Sequence, residues 1–390
     1  SLSRPAQTDP GVPTTHPTRQ AMSDLYIGLM SGTSLDGIDG VLADFSGPRL
    51  RVTHHASAAF APALRAELLA LNTPGDNELH RAALAGNALS RAYAEVVHTL
   101  LQRSGHPASA IRAIGAHGQT VRHRPQEFDG TGYTLQLGSP ALLAELTGIT
   151  VVADLRSRDV AAGGQGAPLV PAFHQGVFGR PDETVLVLNI GGISNLSVLG
   201  ADGSVLGFDC GPGNALMDHW CQQHTGQPFD KDGAWAATGQ VLPGLLAALL
   251  QEPYLHKAPP KSTGRDLFNP AWLAAHLQPF AQATAADVQA TLTEFTASAS
   301  AICANSYLKN SKTLAVCGGG ALNGQLMQRL QAACPSLRVV ATDALGLPAL
   351  QVEAAAFAWL ARRALQGAPG NLPSVTGAAG PRVLGAVYPA

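Results

Sequence analysis

The amino-acid sequence predicts an α/β protein built from two similar halves. Short apolar runs alternate with longer helix-like segments along the chain, the pattern of strands and helices that share a core. Residues 25–42 and 185–199 follow one plan: a strand, a glycine-rich turn and a returning apolar run. A hairpin repeated in each half indicates two similar domains that face each other across a cleft. Because glycine-turn hairpins are common, chance also explains the repeat taken alone.

Six apolar runs are predicted as strands, because each is short and ends at glycine, polar or charged residues. In chain order they are residues 25–30, 111–116, 150–153, 185–190, 314–317 and 338–341.

Six longer segments between these strands are predicted as helices: residues 61–71, 78–103, 140–147, 284–308, 322–333 and 350–365. The last one places Val352, Ala355, Ala356, Trp359 and Leu360 on a single apolar stripe. Residues 163–171 and 252–264 are rich in glycine and proline and are predicted as loops.

The composition excludes several classes of protein. Of the 390 residues, 46% are apolar and 13% charged, which excludes an intrinsically disordered chain. With 25 basic and 27 acidic residues the net charge is −2, so we expect no nucleic-acid partner and no polybasic contact with a membrane. No apolar run reaches the length of about 18 residues that a membrane-spanning helix needs, so a soluble protein is expected.

Cysteine usage and the first residues bear on the cellular compartment. The five cysteines form no CxxC pair, and an odd number spread over a long chain indicates reduced thiols in a cytoplasmic protein. Residues 1–23 are rich in proline, threonine and serine without a continuous apolar stretch, so they are predicted to be a disordered leader and not a signal peptide.

Three glycine-rich turns, each directly after an apolar strand, favour a nucleotide-binding site. Residues 31–39 offer backbone N–H groups and hydroxyls that can wrap phosphate oxygens, and Asp36 and Asp39 are available to a magnesium ion. An ordinary hairpin with capping hydroxyls explains the same segment. In residues 191–195 and 317–323, consecutive glycines let the backbone lie against adenine or ribose, although a loop that starts a helix also uses them.

Asp209 is the candidate general base. It follows a strand-like stretch and precedes Gly211, Pro212 and Gly213, which predicts a rigid turn that holds the carboxylate at a strand end. A carboxylate that merely caps this turn, or the helix that begins near Ala215, is the alternative.

Other charged residues are candidates for substrate contacts. Asp154, Arg156, Arg158 and Asp159 lie close together in a chain with few charges, and they either pair with one another or anchor an anionic substrate. Glu353 is predicted in the first turn of a helix, where the helix dipole favours a carboxylate without any function.

Several catalytic motifs are absent from the sequence. No lysine follows a glycine as in a Walker A loop, and no protein-kinase set, GxSxG or HExxH occurs. His117 and His123 flank Gly-Gln-Thr and are more simply explained as structural histidines than as catalytic ones.

Seven motifs in order resemble those of the anhydro-N-acetylmuramic acid kinase family. They are GLMSGTSLDGID (28–39), AHGQTVRH (116–123), DVAAGGQGAPLVP (159–171), NIGGISN (189–195), FDCGPGN (208–214), KSTGRD (261–266) and VCGGGALN (316–323). The resemblance runs from about residue 25 to the C-terminus.

The resemblance implies an actin/hexokinase/Hsp70-like fold, in which two ribonuclease H-like α/β domains surround a nucleotide cleft. The expected N-terminal domain comprises residues 24–155 with about 370–390, and the C-terminal domain residues 156–369. The implied partners are ATP, Mg²⁺ and a small sugar, in a cytoplasmic homodimer that serves peptidoglycan recycling.

The resemblance also implies a reaction in which water opens the 1,6-anhydro bridge of the sugar while ATP phosphorylates O6. Asp209 is the implied base, with Asp154 and Asp159 the next carboxylates to consider, and Glu353 contacts the sugar. Arg156 and Arg158 are expected near the lactyl carboxylate. ATP is expected to contact Gly32, Thr33, Ser34, Leu35, Asp36, Gly37, Ile38, Asp39, Gly191, Gly192, Gly318, Gly319 and Gly320, with Asp36 as the magnesium contact.

Two other functions remain open at this point. A conventional hydroxyl kinase would use Asp209 to deprotonate a sugar hydroxyl without consuming water. A non-catalytic member would bind ATP as a conformational switch and would phosphorylate no sugar.

Overall fold

The computed structural model describes residues 24–259, 261–265 and 267–390, so the predicted leader lies outside the described residues. The described strands are β1 Leu25–Met30, β2 Ile38–Asp44, β3 Arg51–Ala58, β4 Ile111–Ala116, β5 Gln119–Pro125, β6 Gly132–Leu137, β7 Val151–Ala153, β8 Thr184–Ile190, β9 Ile193–Leu199, β10 Val205–Pro212, β11 Ser311–Cys317, β12 Arg338–Ala341 and β13 Ala386–Tyr388.

The helices lie between these strands, and they confirm the six predicted ones to within three residues at each end. In chain order they are α1 Pro62–Ala70, α2 Glu78–Ser104, α3 Pro140–Thr147, α4 Ser157–Ala161, α5 Val170–Phe178, α6 Ala215–Thr225, α7 Pro243–Leu250, α8 Pro270–Leu277, α9 Ala285–Asn305, α10 Gly324–Ala333, α11 Val352–Leu365 and α12 Pro373–Thr376. The predicted loop at 163–171 is shorter than expected, because α5 already begins at Val170.

The strands form two main sheets that share one arrangement of five strands, and β13 adds to the first sheet antiparallel to β7. The first has the order β13-β7-β4-β1-β2-β3 and the second the order β10-β9-β8-β11-β12. In each sheet the first three strands form an antiparallel meander, and two later strands add parallel to the first strand on its other side. The repeated hairpin and the two-domain, ribonuclease H-like α/β fold class predicted from the sequence are thereby confirmed.

Helix α11 lies directly on the first sheet because that sheet has glycines beneath it. A Cβ atom on Gly28 of β1 or on Gly115 of β4 would collide with the carbonyl oxygen of Ala354 or Phe357 in α11. On its other side α11 contacts α5, which packs on β9 of the second sheet. The helix therefore lies between the two sheets and places its first turn at the cleft.

Each sheet has its own apolar core, and a third cluster joins them. Phe295 of α9 is fully buried in the core of the second sheet, and Tyr93 of α2 in that of the first. Val41, Phe173 and Val352 belong to the cluster between the sheets. The domain boundaries stay a prediction. Among the described residues, no helix is both long enough and apolar enough to span a membrane.

Candidate functional site

A cavity of about 670 Å³ lies where the two repeated hairpins meet. Its walls come from all three predicted glycine turns and from the start of α11, so segments distant in sequence converge. The predicted ligand-contacting residues that line it are Gly32, Ser34, Asp36, Gly37, Ile38, Asp39, Gly191, Gly192, Gly318, Gly319 and Glu353.

The β1–β2 turn is held in shape by its own backbone and by a buried glutamine. The Leu35 N–H donates to the Gly32 carbonyl at 3.1 Å, and Gln119 Nε2 donates to the same oxygen at 3.0 Å. Gly37 has φ +150°, and a Cβ there would lie 2.5 Å from a carbonyl oxygen of β3, so only glycine fits. The Leu35 side chain is buried in the first core, whereas Thr33 is exposed.

The other two turns differ in how much room they leave for a ligand. The carbonyls of Gly191 and Gly192 accept N–H bonds from the start of α6, and a Cβ on Gly191 would meet nothing closer than 3.8 Å. The Gly318 N–H donates to a carbonyl before α11 at 2.9 Å. Gly320 packs against Ile190 and is required for that close contact, so its role is in packing.

Three carboxylates lie on the α6 side of the cavity, and those of Asp36 and Asp230 act electrostatically on that of Asp218. Burial raises the pKa of Asp218 to about 7; the nearby charges of Asp36 and Asp230 raise it further, and Arg265 opposes them. Asp36 and Asp218 both line the cavity. Among the described residues no three His, Cys, Asp or Glu side chains converge on one point. Two carboxylates nonetheless fit Mg²⁺, which uses one or two protein carboxylates beside phosphate oxygens and water.

Exposed apolar side chains border the same cavity. Phe229, Leu322 and Leu350 are 54%, 59% and 42% exposed, and all three line it. Such side chains offer a flat apolar surface to a planar ring. They were not predicted from the sequence, because no local pattern distinguishes an exposed leucine at a ligand site from a leucine of the core.

Asp209 lies inside β10 and not at a turn after it, which corrects the predicted local structure. Strand β10 continues to Pro212, and its pairing with β9 shifts register between Asp209 and Gly211. This β-bulge re-aims the side chain out of the regular alternation. Burial raises the pKa of Asp209 to about 6, while the Thr263 N–H, at 3.0 Å from Oδ2, and the charges of Lys261 and Arg156 lower it.

Arg156 lies among three carboxylates. Burial lowers the pKa of Arg156 to about 10, and the charges of Glu353, Asp159 and Asp209 oppose that fall, so the guanidinium stays protonated at neutral pH. Its Nη2 donates to Nε2 of His117 at 3.0 Å. Burial and the charge of Arg156 lower the pKa of His117 to about 3, so the ring is neutral and acts as a structural acceptor, as expected from the sequence.

Glu353 links this charged group to the cavity. Its carboxylate accepts a 2.6 Å hydrogen bond from Asn189 Nδ2. Burial raises the pKa of Glu353; the Asn189 bond and the charge of Arg156 lower it, and Asp39 raises it. Asn189 belongs to the NIGGISN motif, but no local pattern indicates that it reaches a residue 164 positions away.

The other charged residues near residue 156 differ in burial and in their partners. The Arg158 side chain is exposed on α4, and exposed Asp154 accepts a hydrogen bond from Ser157. Asp159 is fully buried and accepts bonds of 2.7 Å from the Gly166 N–H, Asn371 and Thr376. Its carboxylate thus joins the loop after α4 to the C-terminal segment, which is a structural role.

Comparisons with known proteins agree with these observations. The sequence model of the family described as anhydro-N-acetylmuramic acid kinase matches residues 24–390. A protein named anhydro-N-acetylmuramic acid kinase from Variovorax paradoxus (strain S110) is 69% identical over 372 residues, covering 94% of this chain and 99% of that protein. One of the same name from Albidiferax ferrireducens is 64% identical over 389 residues, covering 95% of this chain and 100% of that protein.

Proposed function

The chain belongs to the anhydro-N-acetylmuramic acid kinase family, and from that premise we propose that it couples two events on one sugar. Water opens the bridge of 1,6-anhydro-N-acetylmuramic acid, and ATP phosphorylates the oxygen that is released. The product is N-acetylmuramic acid 6-phosphate.

The nucleotide belongs in the 670 Å³ cavity. Backbone turns at Gly32–Gly37 and Gly191–Gly192 suit phosphate oxygens, since glycines permit close backbone approach to an anion. Gly318 and Gly319 with exposed Leu322 and Phe229 suit the adenosine, because a planar base stacks on flat apolar surfaces. Asp36 and Asp218 are the residues that would hold Mg²⁺, which neutralises phosphate charge when bound.

The observation that carries the proposal is the electrostatic interaction of Arg156 with two carboxylates, Asp209 and Glu353. Its guanidinium is close enough to both Asp209 and Glu353 to interact with each, and Glu353 also lines the nucleotide cavity. Glu353, which lines the cavity, is the proposed contact for sugar hydroxyls, Arg156 the proposed cation for the lactyl carboxylate, and Asp209 the proposed base. Arg158, which is exposed, is not part of this proposal.

In the proposed reaction Asp209 is the only proton acceptor. Asp209 takes one proton from water as the water oxygen bonds to the anomeric carbon, and the bond from that carbon to O6 breaks. O6 attacks the γ-phosphorus, and the bond from that phosphorus to the ADP oxygen breaks. The proton on Asp209 then leaves to solvent. In-line phosphoryl transfer needs mainly positioning and charge neutralisation, which the glycine turns and Arg156 are suited to supply.

The experiment that tests this function is turnover of 1,6-anhydro-N-acetylmuramic acid with ATP in ¹⁸O-labelled water. One label on the anomeric oxygen of a 6-phosphorylated product supports the proposal. A phosphorylated sugar that keeps its anhydro bridge and carries no label would identify a conventional hydroxyl kinase. ATP binding without any sugar product would identify a non-catalytic member of the fold.

The cellular setting is part of the same proposal. A kinase acting on an anhydro sugar of the cell wall would serve peptidoglycan recycling in the cytoplasm, and a homodimer is the proposed assembly. A strain in which the gene is deleted should lose peptidoglycan recycling. Light scattering of the purified protein should give the mass of a dimer.

A further inference from the structure

Residues 254–263, of which residue 260 is not described, hold Asp209 through three hydrogen bonds. The Tyr254 hydroxyl donates to the Asp209 carbonyl at 2.8 Å, and the Asp209 N–H donates to the Lys261 carbonyl at 3.4 Å. The Thr263 N–H donates to Oδ2 of the Asp209 carboxylate at 3.0 Å. The orientation of the base therefore depends on this segment, which reaches Asp209 from more than forty residues further along the chain.

The Lys261 side chain forms hydrogen bonds with the start of the same segment. Its ammonium group donates to the carbonyls of Tyr254 and Leu255 at 3.3 and 3.4 Å. It also lies over two aromatic rings, 4.8 Å from the centroid of Tyr254 and 5.7 Å from that of Phe208. Within the described residues, no carboxylate lies within 4.0 Å of this half-buried ammonium as an ion-pair partner. Carbonyl oxygens and ring faces hold the ammonium group, and its charge lowers the pKa of Asp209.

We propose that Lys261 is a positioning residue that folds the 254–263 segment against Asp209 and supplies a positive charge that acts on its carboxylate. The inference rests on the proposed function, in which Asp209 accepts a proton from water. A positive charge near a carboxylate favours its ionised form, which is the form a base needs. The charge does this without contacting Asp209, and the Thr263 N–H holds Oδ2.

Other charged and titratable groups lie near Asp209. Arg156 is the second cation that interacts with this carboxylate. Tyr254 is kept neutral because burial raises the pKa of its phenol, and burial likewise raises the pKa of the Cys210 thiol. A hydrogen bond with Cys210 and the charge of Lys261 lower the pKa of the Cys303 thiol, which burial opposes. Lys261 is thus the cation that comes from the same segment as the N–H donor to Asp209.

The test is the pH dependence of kcat/KM for Lys261→Met, which keeps the aliphatic length and removes the charge. In the wild type the rate should fall as the pH drops below about 6, where Asp209 becomes protonated. Loss of a nearby opposite charge moves such a pKa upward by about one unit. The variant should then be about fivefold slower than wild type at pH 6 and within about twofold at pH 9.

Three further variants complete the experiment. Lys261→Arg retains the charge, so its rate should fall at the same low pH as in the wild type; this fall is the acid limb of the pH profile. Lys257→Met removes an exposed lysine of the same segment and should change nothing, and Cys303→Ala should leave the acid limb where it is. If Lys261→Met is not recovered folded, Lys261→Gln removes the same charge: an acid limb displaced to higher pH supports the proposal, and one at its wild-type position overturns it.

Two outcomes separate this inference from the proposed function. A Lys261→Met enzyme slowed equally at all pH values, or not slowed at all, overturns the role of Lys261 while leaving Asp209 as the base. A wild-type enzyme without any acid limb near pH 6, together with an active Asp209→Asn variant, overturns the proposed base itself.

Discussion

The side-chain amide of Asn189 donates a 2.6 Å hydrogen bond to the carboxylate of Glu353 and thereby joins the two sheets at the cavity. Asn189 belongs to β8 in the second sheet, and Glu353 to the first turn of α11, which lies on the first sheet. Both residues line the cavity. Any change in the separation of the two sheets at this point must lengthen or break this bond.

Asn189→Ala tests that bond. Glu353 would lose its amide donor, and hydrogen bonds to charged groups contribute about 1.5–3 kcal/mol, so the KM for the sugar should rise at least tenfold. The KM for ATP should rise less. Steady-state kinetics with each substrate varied in turn measure both, and Asn305→Ala, an exposed asparagine on α9, is the matched control. Equal effects on both KM values would separate Asn189 from the sugar.

The sequence predicted the parts of the fold that rest on local patterns. Strands β1, β4 and β12 and helix α3 have the predicted bounds, because apolar runs and capping residues fix them locally. Hairpin β5–β6 was not predicted. Its strands are largely exposed or half-buried and carry no continuous apolar run, so periodicity gave no signal there.

The site was predictable where a motif is local and unpredictable where contacts are distant. The three glycine turns follow strands and were identified from that spacing. The Thr263 bond to Asp209 spans 54 residues, and the Asn189 bond to Glu353 spans 164. Arg156 and Arg158 are equivalent in sequence and differ only in burial. Burial depends on the packing of the whole chain, so it was not predicted.

Gly191→Ala should weaken ATP binding without disturbing the fold. A Cβ at this position meets no atom closer than 3.8 Å, so the methyl group fits the protein, but it projects into space that phosphate oxygens are proposed to use. We expect at least a tenfold weaker Kd by calorimetry and an unchanged melting temperature. Gly47→Ala, at an exposed glycine whose added Cβ would come no closer than 3.7 Å to any atom, is the matched control. Undiminished affinity would exclude the β8–β9 turn from the phosphate site.

Arg156 and Arg158 form a natural pair of variants. Arg156→Gln removes the cation that interacts with Asp209 and Glu353, so the KM for the sugar should rise about tenfold or more, as loss of a charged hydrogen bond predicts. Arg158→Gln removes an exposed charge and should leave kinetics unchanged. The reverse ranking, measured with the sugar varied at saturating ATP, would place the lactyl carboxylate near α4.

Asp218→Asn should make the nucleotide-free protein more stable at high pH. The raised pKa of Asp218, about 7, means that the folded protein holds a proton which the unfolded chain releases near pH 4. Stability is therefore lost as the pH rises from about 4 to 7 and stays reduced above that range. The variant should exceed the wild type in melting temperature at pH 8 but not at pH 4.

The same variant should lose function as it gains stability. Removing one of two proposed Mg²⁺ contacts should raise the Mg²⁺ concentration required for half-maximal turnover. Asp76→Asn, an exposed substitution of the same kind, should change neither quantity. A variant whose melting temperature follows the wild type at every pH would show that Asp218 titrates normally.

Asp209→Asn is the variant on which the proposed reaction depends. Asparagine can still accept the Thr263 N–H through its side-chain oxygen, so the bulge in β10 and the fold should be retained. It cannot accept a proton from water. A positioned general base contributes about 10²–10⁴-fold to rate, so turnover should fall by at least that factor, and the acid limb near pH 6 should disappear.

Binding measurements distinguish the loss of a base from the loss of a binding contact. For Asp209→Asn the Kd of ATP should change little, because the nucleotide is proposed to lie on the glycine turns. Glu353→Gln should instead weaken sugar binding as well as slow turnover. If Asp209→Asn kept more than about a tenth of wild-type activity, another base would have to act. Asp159 is committed to three hydrogen bonds and Asp154 is exposed, so Glu353 would then be the next carboxylate to test.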